Sequence, residues 1–253
     1  MPRANGSTRR QRPLKKTAVL TLHAPTLHFI AVLVTVVAAG VSLLTWYHHR
    51  EGPGLRGWAL ALMLGSAGTL LFGLRGPDAS FRFILIGDCL FVAGFATMWM
   101  SMRRFNDPAM SAELAGMIVA AILIVFVALF TLAWQVAPMA RAQSIVFSLF
   151  VFILASLAAW ETWRGRQLDG LRSRPIAALA LAGIAAARLV RAAMVFAQGM
   201  GMIEPEVGVV AQDYALYFTT VCILVVTFGL VLMAHERFER QNVISTEARR
   251  AIE

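Results

Sequence analysis

Ionisable side chains within otherwise apolar stretches are the residues of this chain most able to do chemistry. Six such residues fall in three stretches: Asp88, then Arg188 and Arg191, then Asp213, Tyr214 and Tyr217. Arg188 and Arg191 are three residues apart, so a helix places them on one face. A charge at mid-membrane costs several kcal/mol unless it is paired or hydrated. We therefore expect the six residues to share one layer, if their three helices are neighbours.

Three roles for this layer are compatible with the residue types. In an ionic staple, Asp88 and Asp213 neutralise Arg188 and Arg191 and fix the register of the helices. In a ligand pocket, an arginine remains available to an anionic headgroup. In a proton relay, the carboxylates and tyrosines carry protons. The residues alone leave these three alternatives open.

Other kinds of site are not indicated. His48 and His49 are adjacent, and neighbouring helical residues point apart, so we predict no metal site. Retinal needs a lysine within a span, and the chain contains only Lys15 and Lys16. No phosphate-binding glycine loop, nucleophile elbow or zinc-protease motif occurs. We therefore expect no catalytic residues and no cofactor; metal or haem ligation stays possible only if residues of different helices converge.

Composition determines which elements must position the layer. The chain is 58% hydrophobic and 15% charged, and its charge-poor stretches approach the ~20 residues that cross a bilayer as a helix. They are apolar all round, unlike a soluble amphipathic helix. We predict an all-α polytopic membrane bundle of seven transmembrane helices. The predicted spans are residues 22–47, 58–74, 81–102, 112–134, 143–163, 175–198 and 209–234, within a domain 17–234 between a basic disordered tail 1–16 and a cytoplasmic helical tail 235–253.

Arginines between the spans predict the orientation. Twelve arginines fall in the loops after spans one, three and five and in the C-terminal tail, against three in the opposite loops. This favours an exported N-terminus and a cytoplasmic C-terminus, although the six positive charges of the tail 1–16 disagree. The net charge of +9 lies in such clusters, so we expect contact with anionic headgroups and no nucleic-acid partner.

Two helical patterns predict packing. Span six is rich in alanine between residues 177 and 187, which predicts close contacts and a place at the centre of the bundle. After span seven the pattern continues without a helix breaker, and five residues, only one of them large and apolar, follow a 7-3-4-3 spacing. These residues are Ala234, Gln241, Ile244, Ala248 and Ala251. The tail is either a frayed amphipathic helix or a signalling helix with a short, weak coiled-coil seam.

Several segments, in this order and spacing, resemble the N-terminal seven-helix sensor modules that precede GGDEF domains in bacterial diguanylate cyclases. They are Leu22-His23-Ala24-Pro25-Thr26-Leu27, Gly54-Leu55-Arg56-Gly57-Trp58-Ala59-Leu60, Gly94-Phe95 with Met102-Arg103-Arg104-Phe105, Ala186-Ala187-Arg188-Leu189-Val190-Arg191-Ala192, and Thr227-Phe228-Gly229-Leu230-Val231-Leu232 with Glu236-Arg237. Asp88 departs from the asparagine expected in such modules. The resemblance runs from about residue 22 to the end.

The resemblance implies a signal-sensing, dimerising module of a bacterial inner membrane that acts on a cytoplasmic output in cyclic di-GMP signalling. The cyclase signature Gly-Gly-Asp-Glu-Phe does not occur, so we expect a sensor that is not itself an enzyme, with a homodimer partner and an output domain or protein. The alternatives are a small membrane transporter or binding protein that uses the Arg/Asp layer, or a membrane-embedded enzyme or haem protein.

Overall fold

The computed structural model describes residues 24–48, 54–74, 80–136 and 141–250. Within these ranges every regular element is an α-helix, which confirms the all-α class for the described chain. The helices are α1 Ala24–His48, α2 Leu55–Gly73, α3 Phe81–Asn106, α4 Ala112–Val136, α5 Arg141–Asp169, α6 Arg174–Gly199 and α7 Pro205–Arg250. The predicted basic tail 1–16 lies outside the described residues.

Six of these helices, all except α2, are long and apolar enough to cross a membrane. Their lengths of 25 to 46 residues exceed the ~20 residues needed for ~30 Å of hydrocarbon. The helix α2 has 19 residues, and its first turn contains the charged residue Arg56. The chain is thus suited to a multi-pass membrane protein, and the seventh span remains a prediction.

Six helices form a closed ring. The helix α1 packs against α2, α2 against α3, and α3 against α5. The ring continues from α5 to α6 and from α6 to α7, and α7 packs against α1. The remaining helix, α4, lies outside the ring against α3 and α5. Phenylalanines fill this junction, with Phe126 and Phe130 of α4 fully buried beside Phe91 and Phe147. The predicted central position of span six is wrong, because α6 is a ring member whose Leu179 is 66% exposed.

Glycines set the closest helix contacts. A Cβ on Gly57 would overlap the hydroxyl of Ser101, so α2 and α3 can approach this closely only with glycine there. A Cβ on Gly229 of α7 would lie 2.8 Å from the Cβ of Ala177 in α6. The small residues of α6 therefore do give the close packing that the sequence predicts.

The last helix is much longer than a span. It runs unbroken through 46 residues, roughly 70 Å at 1.5 Å per residue. Because ~30 Å suffices to cross the hydrocarbon, more than half of α7 extends beyond a single crossing. The predicted continuation of span seven into the tail is confirmed for the described residues. The side chains at the predicted coiled-coil positions after Arg240 lie outside the described part.

Candidate functional site

The predicted charged layer is buried at its centre. Asp88 in α3 is 5% exposed and Arg188 in α6 is 9% exposed. Asp88 and Arg191 both interact electrostatically with Arg188. The guanidinium of Arg188 also lies over the ring of Phe147 in α5, 5.6 Å from its centroid, an arrangement that attracts a cation to the π-face. Residues of α3, α5 and α6 thus meet around one buried cation.

The hydrogen-bonding capacity of Arg188 is incompletely used. Within the described part of the chain, its Nε has no hydrogen-bond partner. A buried N–H that is left unsatisfied costs ~1–3 kcal/mol, and more on a charged group. A guanidinium in this state attracts an acceptor such as a carboxylate, a phosphate or a water molecule.

The other predicted members of the layer are less closely placed. Asp213 lies in α7, and its side chain is outside the described residues. Tyr214 and Tyr217 are 51% and 54% exposed, so they do not share the burial of Arg188. Arg191 is half-buried. The structure therefore brings together Asp88, Arg188 and Arg191, and a layer of six residues stays a prediction.

An apolar cavity of about 50 Å³ lies inside the ring. Side chains of α1, α2, α3, α6 and α7 line it, including Phe91 and Ile184. Ile184 is one helical turn from Arg188, and Phe91 is about one turn from Asp88, on the same helix faces. The cavity therefore borders the charged layer. The helices α3, α6 and α7, which correspond to the three spans expected to be neighbours, all line the cavity.

A second polar cluster, at the other end of the ring, was not anticipated as a site. Arg174, the first residue of α6, is 1% exposed. Its Nε donates to Oδ1 of Asp169 at 2.8 Å, and its Nη2 forms an ion pair with Oδ2 of the same carboxylate. Its Nη1 donates to Oδ1 of Asn106 in α3 at 2.8 Å and to the carbonyl of Thr162 at 3.4 Å. Such bidentate, charge-assisted bonds fix geometry strongly.

The long helix α7 joins this cluster. Arg237 donates a hydrogen bond to the carbonyl of Phe105 at 2.9 Å, and its guanidinium lies 4.4 Å from the centroid of the Phe105 ring. Arg240 donates to the carbonyls of Asp169 and Gly170. We call Asn106, Asp169, Arg174, Arg237 and Arg240 the latch, because their bonds connect the ends of α3, α5 and α6 to α7.

The latch depends on a glycine. A Cβ on Gly165 of α5 would overlap Nη1 of Arg174 and lie 2.5 Å from Oδ1 of Asn106. Only a residue without a side chain leaves room for the arginine there. The sequence offers one weak signal for the latch, since Asp169 is the single acidic residue in a loop rich in arginine. Sequence reasoning counted Arg174 among the charges that set orientation and missed its partners.

Within the described residues, neither a metal-binding cluster nor a similar known protein identifies a further site. Among the described residues, no group of three or more His, Cys, Asp or Glu side chains is arranged to hold a metal ion. No protein-family model, curated protein or solved structure matches the chain.

Proposed function

We propose that this chain is a membrane-embedded signal-sensing module whose α7 transmits a change in helix packing to a cytoplasmic output. The observation that carries the proposal is the latch. It holds α7 at Arg237 and Arg240, at the point where the helix continues beyond the apolar stretch. From the resemblance to the sensor modules of diguanylate cyclases, we infer that the output acts in cyclic di-GMP signalling.

The contacts of the latch favour transmission over passive anchoring. Arg240 bonds to carbonyls of the α5–α6 loop, and the side chain of Glu236 accepts a bond from the backbone N–H of Arg172 in the same loop, at 2.9 Å. A shift of α5 against α6 therefore changes the acceptors available to α7. A stimulus can drive such a shift only if it binds two packings of the bundle with different free energies.

The remaining parts of the proposal concern the setting of the module. We place it in a bacterial inner membrane with seven spans, an exported N-terminus, a cytoplasmic C-terminus and a second copy as partner. Reporter fusions after Arg104, Arg174 and Glu253 test the orientation, and all three should read as cytoplasmic. An exported signal at Glu253 would reverse it.

A second candidate function is supported by Arg188. A buried guanidinium with an open Nε suits the binding or transport of a small anion across the bundle. Uptake of an anion into vesicles that contain the purified chain, abolished by Arg188→Ala, would favour transport. The latch has no evident part in a transporter of this kind.

Helical phase provides the test of transmission. The full chain is fused at Glu253 to a diguanylate cyclase domain, and cyclic di-GMP is measured in cells. Two alanines inserted after Arg240 turn everything beyond them by about 200°, whereas seven inserted residues change the phase by only about 20°. We expect the two-residue insertion to change the output and the seven-residue insertion, the matched control, to preserve it.

The same cyclic di-GMP level from all insertion lengths would contradict transmission through α7. Sequencing the genomic DNA beyond codon 253 complements this assay. An in-frame or adjacent coding region for a GGDEF domain would supply the output, and unrelated neighbouring genes would favour the anion-binding candidate.

A further inference from the structure

A groove of about 420 Å³ lies on the outer side of the ring, between α5 and α6. Alanines of both helices line it beside larger side chains. The lining includes Ala159, Ala182, Ala186, Trp160, Trp163 and Leu189. Its volume falls within the range of small-molecule binding sites.

The groove opens outward and is apolar. Trp160 is 63% exposed, Trp163 is 45% exposed and Leu189 is 45% exposed. Both helices are long and apolar enough to cross a membrane, so this surface faces hydrocarbon when the chain is embedded. The groove extends from Phe152 to Trp163 along α5, or ~16 Å at 1.5 Å per residue. This is about half of the ~30 Å hydrocarbon thickness, the depth of one leaflet.

One end of the groove carries positive charge. Arg164 and Arg166 follow Trp163 directly and are exposed, and the guanidinium of Arg166 lies 5.7 Å from the centroid of the Trp163 ring. Tryptophan and arginine at this position are typical of the membrane–water interface. Among the described residues neither arginine forms an ion pair; Asp169 is paired with Arg174, and the Glu161 side chain accepts a hydrogen bond from Asn106. The two arginines are therefore available to an anion.

We propose that the α5–α6 groove binds one anionic phospholipid, with an acyl chain over Ala182 and Ala186 and the phosphate at Arg164 and Arg166. The charge at the end of the groove argues against a second copy as occupant. In a two-fold dimer the same patch meets itself, which would bring the four arginines of two copies together. An anionic headgroup neutralises them instead.

This site is independent of the proposed signalling role, because lipid binding is measured without any output domain. The purified full chain is mixed with phosphatidylglycerol or phosphatidylcholine in detergent, and native mass spectrometry counts the bound lipids. We expect one retained phosphatidylglycerol per chain and little phosphatidylcholine. The double variant Arg164→Gln/Arg166→Gln should weaken phosphatidylglycerol binding about thirtyfold, since each of the two arginines near the membrane surface adds to the attraction for anionic lipid. Arg103→Gln, an exposed arginine of α3, is its control.

A substitution that fills the groove distinguishes lipid binding in the groove from a general effect of charge on lipid binding. Ala182→Phe places a ring in the groove at an exposed position, so it does not disturb the buried core. Ala121→Phe adds the same ring to the exposed face of α4 and serves as the matched control. Loss of the bound lipid in Ala182→Phe but not in Ala121→Phe supports the proposal. Equal lipid retention in both variants overturns the proposal. If Ala182→Phe also converts a dimer to a monomer while lipid binding is unchanged, the groove is a subunit interface instead.

Discussion

Replacing Arg174 with methionine tests the latch most directly. Methionine keeps much of the side-chain length but removes the bonds to Asp169, Asn106 and Thr162. Removing one partner of a buried ion pair costs ~3–5 kcal/mol. Because the Asp169 side chain is 27% exposed, it can rehydrate in part. We therefore expect a loss near the lower end of that range, about 3 kcal/mol in the free energy of unfolding.

The assay is unfolding of the purified chain by increasing SDS in mixed micelles, followed by far-ultraviolet circular dichroism. Arg172→Met is the matched control, since Arg172 is exposed in the same loop and surface substitutions usually change stability by less than ~0.5 kcal/mol. Asp169→Asn completes a double-mutant cycle with Arg174→Met. Residues that bond directly should couple by about 1–3 kcal/mol.

Two results would refute this reasoning. A stability of Arg174→Met within ~0.5 kcal/mol of the Arg172→Met control would mean that the latch does not hold the helices together. Additivity of Arg174→Met and Asp169→Asn within ~0.5 kcal/mol would mean that the two side chains do not interact.

Two further substitutions address the latch and the charged layer. Gly165→Ala should lower the free energy of unfolding by about 1–3 kcal/mol through overpacking, and this loss should become smaller when Arg174→Met is already present, with the contact to Asn106 remaining; an equal loss in both backgrounds would contradict the close approach of Gly165 and Arg174. Arg188→Gln should lower the melting temperature of the detergent-solubilised chain because it removes a cation that interacts with the buried Asp88 carboxylate, and Asp88→Asn should restore part of the loss; no recovery at all would contradict an interaction between the two side chains.

The helices could be predicted closely from the sequence. Span four was predicted at residues 112–134 and is α4 Ala112–Val136, and span six was predicted at 175–198 and is α6 Arg174–Gly199. Apolar stretches between proline, glycine and charged residues define these limits, because all backbone groups of a membrane segment must be bonded within it. The burial of Asp88 and Arg188 followed from the same pattern.

The arrangement around the helices could not be predicted in this way. Arg174 lies 68 residues from Asn106, and no periodic pattern relates residues so far apart. Arg172 and Ser173 precede it directly, so it has the character of an ordinary loop arginine. The prediction that span six lies at the centre of the bundle is wrong for a similar reason. Small residues indicate close packing, but they do not indicate how many sides of the helix other helices cover.

Residues of α2, α3 and α7 converge where α7 leaves the ring. The ring of Trp58 in α2 lies 5.0 Å from that of Phe105 in α3, and the carbonyl of Phe105 accepts the bond from Arg237 in α7. Gly57 brings α2 tightly against α3 at this end. Phe105 of α3 therefore contacts α2 through its ring and α7 through its carbonyl. A displacement of α7 relative to α3 breaks the bond at Phe105, so the packing at this end of the ring and the position of α7 depend on the same residue.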